Sequence, residues 1–93
     1  MAVTKFQVVS IESGKTATVD FGSTIINASV AVQGYSVSYG SNVDHHVKAL
    51  KVSTGISSFS GSAVVANATC TMEDNSSHVA KGTVNVLVVA VCD

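Results

Sequence analysis

Apolar and polar residues alternate with a period of two along most of the chain, the spacing that sends successive side chains to opposite faces of a β-strand. From Val3 to Ile11 one face carries Val3, Lys5, Gln7 and Val9 and the other Thr4, Phe6, Val8 and Ser10, which predicts a first strand. Glu12-Ser13-Gly14-Lys15 has turn chemistry, and a second strand, Thr16 to Phe21, follows before Gly22-Ser23-Thr24 breaks the pattern. A third, longer strand runs from Ile26 to Tyr39. Its apolar residues are Val30 and Val32 before Gly34 but Tyr35, Val37 and Tyr39 after it, so the parity flips there and a bulge would restore one inward face.

Gly40-Ser41-Asn42-Val43-Asp44 reads as the next turn, and His45 to Ser53 as a fourth strand on which Lys48 snorkels at an edge. Thr54 to Gly61, with its serines and glycines around Ile56 and Phe59, reads as an irregular connection with an apolar plug. A fifth strand, Ser62 to Thr71, sets Val64, Ala66, Ala68 and Cys70 against Ala63, Val65, Asn67 and Thr69. Met72 to His78 is a polar loop, and Val79 to Val91 is a last strand that ends in a nearly continuous apolar run. Such a run belongs at the centre of a sheet, covered on both faces, the second of them by another subunit. Six strands joined by short turns predict an all-β fold: a six-stranded antiparallel β-sandwich, or a small barrel, in one domain spanning residues 1–93 and arranged as an up-and-down meander.

Composition strengthens the strand reading. Val fills 18 of the 93 positions and Ser plus Thr 22, while Leu occurs only at positions 50 and 87, the reverse of what a helix draws on. Charge narrows the partners. Five Lys, no Arg and a net charge of -1 cannot build the basic stripe that phosphate neutralisation needs, so no nucleic-acid partner is expected. The N-terminus has no charged start followed by an apolar core, so no signal peptide is predicted. The longest apolar run, Val86 to Cys92, is far short of the roughly 20 residues of a membrane helix, and a soluble protein without a membrane partner is expected. With 12% charged and 46% hydrophobic residues, little repulsion separates one copy from another and much apolar surface must be covered, which predicts a homo-oligomer.

In a meander the turns at 12–15, 40–44 and 72–78 fall at one end of the sheet. That end would collect Glu12, Lys15, Asp44, His45, His46, Glu73, Asp74 and His78. The candidate binding residues are therefore Asp44, His45, His46, Met72, Glu73, Asp74 and His78, on loops held by a rigid scaffold. Polar turns are also what any solvated loop looks like, and His45 and His46, adjacent on a strand, point to opposite faces and cannot readily chelate one ion. No metal and no cofactor is expected. Ser-His-Asp arrangements, phosphate-binding glycine loops and Cys-x-x-Cys pairs are missing as motifs, so the chain is not expected to be an enzyme. Cys70 and Cys92 are expected to stay reduced. A hairpin closed by residues 72–78 sets Cys70 near Lys81, which leaves Cys92 about ten residues further along, beyond the roughly 7 Å between Cα atoms that a disulfide allows. The Asn-x-Ser/Thr triplets at Asn27, Asn67 and Asn75 are discounted as glycan acceptors in a chain so rich in Ser and Thr.

The order of Ser13-Gly14-Lys15, Val19-Asp20-Phe21, a strand running into Gly34-Tyr35, then Val47 to Val52 and an apolar last strand resembles the H-type lectin domain family of snail agglutinins and the discoidin C-terminal domain. The resemblance spans nearly the whole chain through loose motifs. It implies a six-stranded antiparallel sandwich, assembly as a trimer or hexamer, and a glycan bound between subunits. The family's sugar site places an aromatic and a His just after a Thr, where this chain reads Thr71-Met72-Glu73, and it uses an Arg in the region that here holds Lys48 and Lys51. The short, Arg-free, Val/Ser/Thr-rich chain is also similar to small accessory proteins of tailed phage particles, which implies a virion-associated structural role as the alternative.

Overall fold

A computed structural model describes residues 2–39 and 46–93, and every regular element in it is a β-strand. There are seven: β1 (Val3–Glu12), β2 (Thr16–Asp20), β3 (Ile25–Ser36), β4 (Val47–Ser60), β5 (Ala63–Asp74), β6 (Val79–Lys81) and β7 (Thr83–Cys92). All pair antiparallel, in two sheets. Sheet A has the order β1-β7-β3, and sheet B has β2-β5-β4 with β6 on the same edge of β5 as β2.

Two of the expected elements are corrected. The last strand is not one piece, because at Gly82 the chain leaves sheet B, where β6 lies, and enters sheet A as β7. The stretch Thr54 to Gly61 is not an irregular connection. It is the second half of β4, paired with β5 down to Ser60↔Ala63 and bulged between Ile56 and Ser58. The hairpin closes through Gly61-Ser62, where Gly61 sits at φ 59°, the left-handed value that a two-residue turn with glycine first requires. The first part of the predicted fourth strand, His45, lies outside the described residues.

Gly34 behaves as its parity flip demands. The β3–β7 register runs Val32↔Val86 and then Gly34↔Asn85, so Gln33 is the extra residue of a bulge. Without the bulge Tyr35 would face away from Val84, its partner on the core side.

The core lies between the two sheets. From β7 it takes Val84, Val86, Val88, Ala90 and Cys92, from β5 Val64, Ala66, Ala68 and Cys70, and from the flanking strands Ile11, Val19 and Ile25. Two levels bound the region where the sheets overlap. At one, the Ile25 and Phe21 N–H groups donate to Gly61 O and Ser62 O. At the other, Gly82 N–H donates to Cys70 O, Ser13 N–H to Gly82 O and Gly14 N–H to Ala68 O. Between these levels β1 and β2 form an arch, one strand in each sheet, and Lys5 reaches across it to donate to Phe21 O at 3.1 Å and Ser23 Oγ at 3.2 Å.

Beyond the second level sheet B continues alone. Residues 47–53 of β4, 70–74 of β5 and the short β6 project past sheet A as an arm. Ten residues of sheet A make a body about 33 Å long and the remainder of β5 an arm of about 15 Å, at roughly 3.3 Å per residue. Together they account for most of the 55 Å long axis, against 17 and 16 Å across. The radius of gyration, 15.9 Å, exceeds the about 12 Å expected of a compact domain of this length.

Candidate functional site

The tip of the arm is built around one carboxylate. Asp74 ends β5 with its side chain buried, and its Oδ1 accepts hydrogen bonds from the Ser76 N–H at 2.9 Å and the His78 N–H at 2.8 Å. Its Oδ2 lies 2.9 Å from His78 Nδ1. The main chain closes the same loop: Asp74 N–H donates to His78 O, Ser77 N–H to Asp74 O, and Ser77 takes the left-handed value φ 64°. Asx turns of this kind let an Asp side chain stand in for a main-chain partner. His46 joins from β4's side, its carbonyl accepting from Asn75 N–H at 3.1 Å. Tyr39, following β3, donates through its hydroxyl to His78 O at 3.4 Å. Partial burial of the phenol, then the charges of Asp74 and Glu73, raises the Tyr39 pKa above its ordinary value.

The fold therefore brings His46, Glu73, Asp74 and His78 of the candidate set to one tip. Asp44 and His45 lie outside the described residues. Met72 and Glu73, neighbours on β5, point to opposite faces. Met72 stands between Leu50 of β4 and Ala80 of β6, whereas Glu73 forms a 3.2 Å ion pair with Lys48. The position that the lectin resemblance assigns to sugar recognition is thus a paired stretch of sheet, with the Lys48 ammonium held by Glu73.

Glu12 and Lys15 are not at that tip, which corrects the meander. The chain passes from β1 in sheet A to β2 in sheet B, and β7 lies between β1 and β3, so the 12–15 turn falls at the waist where body meets arm. That places it four to six residues back along β5 from Asp74, about 13–20 Å. There Glu12, Ser13, Lys15, Lys81, Gly82 and Thr83 line an open cleft of about 390 Å³. Sequence reasoning missed Lys81 and Thr83 as its walls, and the only local signal was the glycine between them.

A second missed feature is the outer face of sheet A. Phe6 is 72% exposed on β1, beside Val8 and across from the half-buried Val89 and Leu87 of β7. The alternation of the first strand already held the signal, since its Phe6/Val8 face is as apolar as its Val3/Val9 face.

Among the described residues no group of three or more His, Cys, Asp or Glu could hold a metal ion, and no helix is long and apolar enough to cross a membrane. Cys70 and Cys92 are both free and buried. Near the hairpin turn, Asp20 accepts from Gly22 N–H at 2.8 Å; this bond and one from the Ser62 hydroxyl lower its pKa. No protein-family model matches the chain, and neither a curated protein nor a solved structure matches it.

Proposed function

We propose that this chain is a non-enzymatic, oligomeric building module, a structural subunit of the kind that decorates or lengthens a phage or virus particle. The observation that carries the reading is shape: a thin two-sheet body 55 Å long with its arm, narrow in both other directions, leaving an apolar face with little charge on one side. A slender form exposes much surface for its volume, which suits a chain whose folded state is completed by neighbours. The Asp74 carboxylate supports the same view. It is occupied with main-chain N–H groups and His78, so its place in the chain is explained by holding the tip in shape.

One observation favours a second reading, the H-type-lectin-like one of carbohydrate binding. The waist cleft of about 390 Å³ is lined by Glu12, Ser13, Lys15, Lys81 and Thr83, all able to hydrogen-bond a polyol. The two readings part on a panel of immobilised sugars. A building module passes through every column, and retention on one, lost in Lys81→Ala, would replace the structural reading by the lectin one.

A further inference from the structure

On the outer face of sheet A the paired rows across β1, β7 and β3 read Thr4–Val91–Asn27, Phe6–Val89–Ser29, Val8–Leu87–Ala31 and Ser10–Asn85. The centre is apolar and aromatic, and its rim is Thr, Asn and Ser. Among the described paired positions of this face the one charged residue is Glu12, at the far end opposite Thr83. This is the anatomy of an interface, an apolar centre depleted of charge within a polar rim. β1 turns Phe6 and Val8 outward, between Thr4 and Ser10, while its core-facing side holds Lys5 and Gln7 along with Val3, Val9 and Ile11. An outward face left to water would carry polar residues at positions 6 and 8 as well.

The same face carries both a knob and a hollow. Phe6 stands on one edge strand, and a hollow of about 60 Å³ lies between the other two, lined by Asn27, Ala28, Ser29, Val89 and Val91. A two-fold axis lying in the plane between the two faces, along the strand direction and midway between knob and hollow, seats each copy's Phe6 over its partner's hollow, the reciprocity of an isologous contact. Area agrees. Ten rows of three strands, at roughly 3.3 Å and 4.8 Å spacing, cover about 470 Å². Two such faces bury about 950 Å², close to the roughly 1,000 Å² at which specific interfaces begin.

We propose that the outer face of sheet A is a self-association surface on which two copies pack face to face with Phe6 at the centre, a proposal that rests on the oligomeric reading above and names its contact. It implies an assembly with an even number of copies, a dimer or the hexamer.

The test is light scattering on the wild-type chain, Phe6→Glu and Ser29→Arg, with the far-ultraviolet dichroism of each recorded. Phe6 and Ser29 are exposed, so neither change touches the core, and the two approach the contact from opposite sides. The expected result is an even-numbered wild type whose dissociation constant rises more than about tenfold in both variants, with the β spectrum retained. Should one variant fail to fold, the other decides. Variants that keep the wild-type mass would overturn this contact while leaving the oligomer standing. An odd-numbered assembly would overturn the two-fold, and a monomeric wild type would overturn the contact and the oligomeric reading together.

Discussion

Gly82 is the most crowded of the glycines among the described residues. A Cβ there would collide with the main-chain oxygen of Ser36 and come within 2.7 Å of Val37 Cβ and 2.9 Å of Cys70 Sγ. The chain crosses between sheets at this point, pressed against the end of β3 on one side and β5 on the other, so only a residue without a side chain fits. Gly82→Ala is expected to cost about 1–3 kcal/mol, as overpacking does elsewhere, and urea unfolding reads it; an unchanged midpoint would contradict the close approach. Tyr39 offers a measurement at the tip. Its folded pKa is raised, so the stability it contributes is fully present below the ordinary phenol value of about 10 and is lost as pH rises through the higher folded value. In Tyr35→Phe, where Tyr39 is the sole tyrosine, tyrosinate absorbance should develop with a midpoint above about 10. A midpoint at or below that value would mean that neither its surroundings nor the carboxylates act on it.

At the scale of elements, register is what each strand contributes, and the bulge at Gln33 is its clearest control. Deleting Gln33 would close the bulge and leave Val32↔Val86, Gly34↔Asn85 and Tyr35↔Val84 as a regular ladder, with Tyr35 still on the core side. The expected outcome is that cooperative thermal unfolding is retained, whereas a deletion protein that no longer unfolds cooperatively would contradict the placing of Gln33 as the extra, unpaired residue. This bulge was legible because apolar parity records it directly. So were the bounds of β1 and β2 and the buried face of β5, where Val64, Ala66, Ala68 and Cys70 alternate without a break. The second half of β4 was not, because Ser57, Ser58 and Ser60 look like loop residues until β5 supplies their partners. A sharper signal was present in Gly61-Ser62, a two-residue turn of glycine-first type. The break at Gly82 was hidden because residues 79–91 read as one strand leading into an apolar run, and a change of sheet is a tertiary event that no local period encodes. The candidate site divides in the same way. His46, Glu73, Asp74 and His78 came together because one hairpin end holds them, while Glu12 and Lys15 depended on a strand order that the sequence does not state.

For the whole molecule, extension and exposed apolar surface belong to one account. The body has room for one thin core layer of mostly Val, Ala and Cys, and a radius of gyration of 15.9 Å leaves much of the chain at the surface. Burying a phenylalanine side chain is worth about 1.5–3 kcal/mol, a large share of the 5–15 kcal/mol by which folded domains usually exceed their unfolded state. Covering Phe6 and its neighbours by another copy would therefore add materially to stability, and would couple folding to protein concentration. The most direct test is the mass of the wild-type chain in solution by light scattering, across micromolar concentrations. The account predicts an even multiple of the 9.5 kDa chain. A single 9.5 kDa species throughout would contradict it.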